Sequence, residues 1–238
     1  MKLSIIIPVF NEEKTIGKII SKIKQTKLQK NIIKEIIVVD DGSTDATASE
    51  IRNSKFEIRN FKILRHVKNL GKGAAVQTGL QKATGEIFII QDADLEYNPQ
   101  DLAKLVNPIL DGSAEVVYGT RLINYPLNLW GNKKTVLPIH LIANRFLTML
   151  TNILYGSHLT DMETGYKVFK KGVIKAIKIT SKKFDFEPEV TAKVLKQGVK
   201  IIEIPIKTAP RTYQEGKKIG WRDGLVAIWT LIKYRFVE

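Results

Sequence analysis

The chain has 238 residues, 44% of them hydrophobic, enough to bury a large core as one domain or one domain with an extension and to argue against disorder. With no cysteine, disulfides and thiolate metal sites are excluded, and the composition suits a reducing compartment. Lysine and arginine number 38 against 24 acidic residues, a formal charge of +14 that biases the surface toward polyanions.

Nucleic acid is not the expected polyanion, because no recognised motif is present and basic residues are not interleaved with exposed aromatics. An anionic membrane surface or phosphate-bearing substrates fit better. The apolar run 3–9 is too short for a signal sequence and is broken by Pro8 and Asn11. No run approaches the roughly 20 apolar residues of a spanning helix. The expected location is cytoplasmic, peripheral at the cytoplasmic face of the membrane.

In chain order, residues 4–9 predict a strand that ends in Pro8-Val9-Phe10-Asn11-Glu12, and a helical pattern covers 12–25. A second strand over 35–39 ends in Asp40-Asp41-Gly42-Ser43, where Ser43 or Thr44 can cap a helix over 44–53. A third over 61–65 leads to Asn69-Leu70-Gly71-Lys72-Gly73 and a helix over 73–84. A fourth over 86–91 leads to Asp92-Ala93-Asp94-Leu95-Glu96, and Pro99 opens a helix over 99–110. A fifth, over 115–118, precedes Gly119-Thr120-Arg121. Doubly apolar strands alternating with helices predict an α/β fold, a doubly wound and mostly parallel sheet flanked by helices. Such sheets bind ligands beyond the carboxyl ends of their strands, where these polar clusters fall.

Further along, 135–155 places Leu137, Leu141, Phe146, Leu150 and Leu154 near one stripe, as a core helix or a membrane-contacting one. Residues 200–206 predict another strand, with Arg211 and Lys218 on a mobile loop after it. The segment 221–238 mixes Trp221, Trp229, Tyr234 and Phe236 with Arg222, Lys233 and Arg235, a composition typical of interfacial helices.

The chemistry centres on Asp92, Asp94 and Glu96. Hard cations such as Mg2+ and Mn2+ take oxygen ligands, and Mg2+ usually binds one or two carboxylates plus the phosphates of a substrate. The spacing suggests a cation held for a diphosphate, with a solvated acidic turn capping the next helix as the plain alternative. A calcium loop is excluded, since its sixth position would be Tyr97 rather than Gly and its twelfth Ala103 rather than Glu. Asp40 and Asp41 can accept hydrogen bonds from a nucleobase or ribose. Gly71-Lys72-Gly73 lets the backbone approach an anion at a helix N-terminus, although Val76 stands where a dinucleotide fingerprint has its third glycine.

Pro8-Val9-Phe10-Asn11-Glu12, Val38-Val39-Asp40-Asp41-Gly42-Ser43, Asn69-Leu70-Gly71-Lys72-Gly73, Asp92-Ala93-Asp94 and Gly119-Thr120-Arg121, in this order, resemble a glycosyltransferase of family 2 with the GT-A fold. Within it the chain looks most like the polyprenyl-phosphate branch, the dolichyl-phosphate mannose and glucose synthases. That likeness rests on Leu159-Thr160-Asp161-Met162-Glu163-Thr164-Gly165-Tyr166-Lys167, Phe184-Asp185-Phe186-Glu187-Pro188-Glu189, and Pro210-Arg211-Thr212-Tyr213 followed by Gly216-Lys217-Lys218-Ile219. It implies a Rossmann-like GT-A catalytic domain over 1–220 and a C-terminal amphipathic, membrane-interfacial helix over 221–238.

The resemblance also implies roles. Pro8, Val9, Glu12 and Asp40 would line the nucleoside pocket, with Gly71, Lys72 and Gly73 closing on it and Ala93 beside Asp92. Asp92, Asp94 and Glu96 would hold Mg2+ or Mn2+ on the donor diphosphate. Arg121, Arg211 and Lys218 would face phosphates, which a guanidinium can grip bidentately. Mannose synthases of this branch place an Arg and a Ser for the acceptor phosphate ahead of the long helix, where this chain has Lys133-Lys134-Thr135 and then His140. Lys133 and Lys134 are the expected replacements beside Arg121.

The implied activity is inverting transfer of a hexose from GDP-mannose or UDP-glucose to a dolichyl or undecaprenyl phosphate, with Asp92, Asp94, Arg121 and Asp161 catalytic and a separate membrane subunit as a further partner. A phosphate monoester is largely dianionic at pH 7 and attacks without losing a proton. A saccharide hydroxyl, the alternative acceptor, needs a base, for which Asp161 is the candidate.

Overall fold

Strand β1 (Lys2–Val9) is the spine of the sheet, paired in parallel with β2 (Ile33–Asp40) on one side and β4 (Ile87–Ile90) on the other. Residues 3–9 are all buried, as a strand covered on both faces requires. Side-chain alternation divides the core. Leu3, Ile5, Ile7 and Val9 face α1 (Ile16–Gln25) and α4 (Leu102–Leu110), whereas Ile6 faces α3 (Lys72–Lys82), with Ile37 and Val39 of β2 on that same side. Each such burial is worth about 1.5–3 kcal/mol against exposure.

The computed structural model describes residues 1–29, 31–55, 60–123, 138–211 and 220–237. Among them β3 (Phe61–Arg65) flanks β2, while β6 (Lys167–Lys170), β5 (Val116–Thr120) and β7 (Ile201–Pro205) follow β4, giving the order β3-β2-β1-β4-β6-β5-β7. Every pairing is parallel except those of β6, which runs antiparallel between β4 and β5. The five strands expected along the first half of the chain are present, and β7 follows 200–206 closely.

Some boundaries differ for local reasons. The first helix starts at Ile16 rather than at residue 12, because the Glu12 backbone N–H is donated to Thr47 Oγ1 at 2.8 Å and residues 12–15 form a turn instead. Likewise α2 spans Thr47–Lys55, and Pro99–Asp101 is a 3-10 turn capped by the Asn98 side chain ahead of α4. Helices α6 (Lys171–Ala176) and α7 (Phe186–Lys196) had no counterpart among the expected elements.

Helices α5 (Pro138–Tyr155) and α8 (Trp221–Phe236) lie side by side, joined where Tyr155 donates its hydroxyl to the Leu231 carbonyl at 2.7 Å. Leu141 and Leu147 of α5 and Ala227, Leu231 and Tyr234 of α8 are buried. Opposite faces of both helices stay exposed: Ile139, Ile142, Phe146, Met149 and Ile153 on α5, and Trp221, Leu225, Trp229 and Phe236 on α8. Phe146, expected in one stripe with Leu141, Leu150 and Leu154, belongs to the outward face, while Leu150 and Leu154 pack against the core. Leu137 lies outside the described residues, and no helix among those described is long and apolar enough to cross a membrane.

Candidate active site

The ends of β1, β2 and β4 bring the first set of polar residues to one edge. Pro8 and Val9 are buried strand residues, and Val9 packs in the core, so what Val9 offers this edge is its carbonyl, which accepts the Asp41 N–H at 2.8 Å. Asp40 is buried. Its Oδ1 accepts the Ser43 N–H at 2.9 Å, and its Oδ2 lies 3.3 Å from Arg65 Nε without a hydrogen bond among the described residues. Asp41 is fully committed to the fold, accepting from His66 Nδ1 at 2.6 Å and from the Leu70 and Gly71 N–H groups at 2.9 and 2.7 Å. Of the two aspartates, Asp40 is the one with an acceptor atom to spare.

The glycine turn serves a different purpose from the anion cradle its spacing suggests. Gly71 sits at φ 101, and a Cβ there would collide with the Lys182 carbonyl, as one at Gly73 would with that of Ser181. The Lys182 carbonyl accepts the Ala74 N–H at 3.0 Å, so protein backbone occupies the space these glycines open at the start of α3. Lys72 between them points the other way and bridges two carboxylates, Asp92 Oδ1 and Glu187 Oε1, at 2.8 Å each. Burial disfavours its charge, but Asp92 and Glu187 more than compensate and keep it protonated well above the usual lysine range.

Beyond β4 the chain turns sharply, with Leu95 at φ 62 and the Glu96 N–H donated to Asp94 Oδ1 at 3.1 Å. Arg211 is clasped here. Its guanidinium donates to both oxygens of Glu12 at 3.2 and 3.0 Å and to Asp94 Oδ2 at 2.9 Å, and its backbone N–H is donated to Glu96 Oε1 at 3.2 Å. Burial, together with the charges of Asp92 and Glu96, pushes the Asp94 carboxyl up to about 6. Among the described residues no three acidic or histidine side chains are so placed that together they could hold a metal ion: Asp92 is turned to Lys72, while Asp94 and Glu96, with Glu12, surround Arg211.

The second set lies past β5 and before β6. Arg121 donates its backbone N–H, Nε and a terminal nitrogen to Asp161 at 2.9, 2.7 and 2.7 Å, so both carboxylate oxygens of Asp161 are taken. Asp161 is fully buried, and its own N–H, with that of Thr160, is donated to Glu203 of β7 at 2.9 and 2.7 Å. Burial works against the Arg121 charge, yet Asp161 holds it well above the usual arginine range.

Between the two sets is a cluster of buried charged groups that the motifs did not single out by residue. Lys167 is fully buried and donates to the Met162 and Thr164 carbonyls at 2.7 and 2.6 Å, with its ammonium 4.3 Å from the centre of the Tyr118 ring. Burial lowers it to about 8 and pushes the Glu163 carboxyl up to about 7, helped by the nearby charge of Glu187. Only their place in the stretches 159–167 and 184–189 hinted at Glu163 and Glu187; two acids on the buried face at the start of α7 are the signal that singles out the latter. Lys133, Lys134 and Lys218 lie outside the described residues.

The family model of glycosyl transferase family 2 matches residues 4–178. The chain belongs to this family. The glycosyltransferase is 31% identical over 247 residues to a UDP-N-acetylglucosamine–dolichyl-phosphate N-acetylglucosaminyltransferase of Methanococcus voltae, covering 96% of this chain and 94% of that one. It is 30% identical over 236 residues to an uncharacterised protein of Methanocaldococcus jannaschii, covering 97% and 91% of the two. A dolichol-phosphate mannosyltransferase of Pyrococcus furiosus is 29% identical over 226 residues, which are 92% of this chain and 60% of that one. Among solved structures, the glucosyl-3-phosphoglycerate synthase of Mycobacterium tuberculosis in complex with Mg2+ and UDP matches with a TM-score of 0.74 at 18% identity, over 100% of this chain and 80% of that one, which shows the fold to be GT-A-like.

Proposed function

We propose that this glycosyltransferase moves a hexose from a nucleotide sugar to a polyprenyl phosphate with inversion at the anomeric carbon. The observation that carries the reading is the Arg121–Asp161 clasp. The carboxylate that a hydroxyl acceptor would use as a base has both oxygens bound to a guanidinium. A phosphate acceptor needs no base, since its oxygen is already anionic at pH 7. It attacks the anomeric carbon as the bond to the diphosphate breaks, and the electron pair leaves with the nucleoside diphosphate. What the acceptor needs is positive charge, which Arg121, held in place by Asp161, supplies. Relatives named for dolichyl-phosphate acceptors support the same reading.

The donor end fits a divalent cation by the chemistry of its oxygens. Asp92 and Asp94 offer hard carboxylates, the crowding of negative charge around Asp94 favours a cation, and two carboxylates are enough where a diphosphate completes the shell. Mg2+ or Mn2+ bound there would screen the diphosphate and stabilise its departure. Asp40, with its spare acceptor oxygen, is assigned to the nucleoside.

The exposed apolar faces of α5 and α8 fit the surface of an anionic bilayer, reached from the cytoplasmic side. Arg222, Lys233 and Arg235 on α8 border the apolar stripe, and each basic residue near an anionic surface contributes about 1 kcal/mol. Co-sedimentation with anionic vesicles that weakens at high salt is expected; no binding at low salt would remove the membrane from the picture.

The decisive experiment offers the protein a panel of nucleotide sugars with Mg2+ and a short polyprenyl phosphate. A mild-acid-labile glycolipid is the expected product. Sugar appearing only in a saccharide polymer would refute the phosphate acceptor, and undiminished transfer after exhaustive chelation would refute the metal.

A further inference from the structure

Lys72, the first residue of α3, joins two carboxylates from distant parts of the chain: Asp92 just past β4 and Glu187 in the first turn of α7, each 2.8 Å from its ammonium nitrogen. The bridge leaves one oxygen over. Glu187 is 5% exposed, and its Oε2 is buried without a hydrogen-bond partner among the described residues. Buried polar atoms are nearly always paired, and each exception calls for a reason. A plain tie between α3 and α7 accounts for Oε1 but not for an idle acceptor beside it.

The two carboxylates differ in what they have to give up. Asp92 is assigned to the cation on the donor diphosphate, and the inference below rests on that part of the transfer reading. Its charge is shared with Lys72, so a divalent cation there meets an ammonium across a single carboxylate. Asp92 has no room to turn aside toward Gly165, where a Cβ would collide with Asp92 Oδ2 and where the Tyr97 ring also lies close. Lys72 can move, because an ammonium rides on a flexible stem and has three rotatable donors. By exchanging Asp92 Oδ1 for Glu187 Oε2 it would stay on two carboxylate oxygens while its charge is drawn away from Asp92. The other charged groups of the cluster do not take its place: Lys167 is bound to the Met162 and Thr164 carbonyls, and Arg121 to Asp161. Lys167 and Glu163 bring opposite charges close to Glu187, so the pull on Lys72 rests with Glu187 itself.

We infer that Glu187 is a positioning residue for the donor end: it takes up Lys72 when a divalent cation claims Asp92, and so sets how tightly Asp92 holds that cation. Glu187 acts through Lys72 and touches neither cation nor substrate.

Mn2+ binding to the full chain, read by electron paramagnetic resonance with and without UDP or GDP, tests this, with thermal unfolding to establish that each variant is folded. Glu187→Gln leaves Lys72 to Asp92 alone and should weaken Mn2+ binding by roughly tenfold, whereas Lys72→Met should tighten it by roughly tenfold, the equivalent of one charge-assisted hydrogen bond. Glu187→Asp, which keeps the charge, should recover part of the affinity that Glu187→Gln loses. The double variant decides the route: with Lys72 gone, Glu187→Gln should alter Mn2+ affinity by less than about threefold. A full tenfold effect in that background would overturn the inference, since Glu187 would then act on the cation by its own charge. Equal Mn2+ affinity in wild type and Glu187→Gln would overturn it too and leave the pair a tie between helices. The wild type gives a test that needs no Glu187 variant: in lysine-labelled NMR the Lys72 side-chain signal, assigned by its loss in Lys72→Arg, is expected to shift on addition of Mg2+ with UDP or GDP, and a signal that stays in place would overturn the exchange. A wild type that binds no Mn2+, with or without nucleoside diphosphate, would overturn the metal assignment and the inference with it, whereas normal Mn2+ binding that ignores Glu187 removes the inference alone.

Discussion

Asp161→Asn separates a structural clasp from a catalytic base. Asp161 is fully buried and accepts three hydrogen bonds from Arg121, whose side chain is 19% exposed. The amide keeps the volume but turns an N–H donor toward guanidinium donors and leaves a largely buried cation unpaired. Removing one partner of a buried pair costs about 3–5 kcal/mol, and the residual exposure of Arg121 places this case at the lower end, about 3 kcal/mol. For a chain of this length that is a fall in Tm of roughly 6–12 °C. The assay is thermal unfolding followed by circular dichroism, with Arg121→Leu and the double variant Arg121→Leu, Asp161→Leu completing a cycle. The double variant is expected to recover much of the loss, since an apolar pair of similar volume needs no charge balance. An Asp161→Asn protein that melts within about 1 °C of wild type while its turnover collapses would refute the clasp and restore Asp161 as a base.

Gly71→Ala is expected to lower the urea midpoint by the equivalent of about 1–3 kcal/mol or more, from the positive φ and the clash with the Lys182 carbonyl, whereas Gly172→Ala, with open space around it, should leave the midpoint unchanged or slightly raised; equal effects would show that the turn is not held as described. Although burial alone would raise it, hydrogen bonds from Lys193, Ser181 and Thr180 hold Glu189 down to about 2. An unfolded glutamate titrates near 4.3, so its stabilisation is complete above that pH and is lost as pH falls through about 2; Glu189→Gln should flatten the acid limb of stability between these values, and an unchanged slope in urea melts at pH 3 and 6 would count against it. Arg211→Ala uncovers Asp94 and Glu12, so Mn2+ binding without nucleotide, read by electron paramagnetic resonance, should tighten by roughly tenfold, the equivalent of one charge-assisted hydrogen bond; weaker Mn2+ binding would refute competition between guanidinium and metal.

The first half of the fold was legible because its code is local. Unbroken isoleucine and valine runs such as Ile5-Ile6-Ile7 and Ile36-Ile37-Val38-Val39 fit only strands buried on both faces, and turn residues at their ends marked the edge where the polar residues gather. Strand β6 was not legible. It is four residues long, begins with Lys167, and is stabilised by pairing with β4 and β5 rather than by its own pattern. A lysine that is fully buried because it caps two carbonyls and faces a tyrosine ring contradicts every composition rule for an interior strand. The aspartates show the same division. Spacing made Asp92 and Asp94 candidates, but that Lys72 and Arg211 turn them in different directions depends on contacts across distant parts of the chain. The glycine turn misled because Gly-x-Gly reads alike whether phosphate or backbone comes close, and only the position of Ser181 and Lys182 decides between them.

The antiparallel course of β6 has an effect on how this enzyme could diversify. Because Arg121 follows β5 and Asp161 precedes β6, the clasp closes the neck of everything between them, including α5. The excursion leaves and re-enters the sheet at one point, as a handle is fixed to a cup. Exchange of that handle is expected to leave the register of β5 on β6 in place where the neck pair is kept together with the side chains by which α5 packs on the core and on α8, Leu147 and Tyr155 among them. Chimeras that graft the segment between these two residues from a relative with another acceptor should therefore change what receives the sugar without changing which nucleotide delivers it.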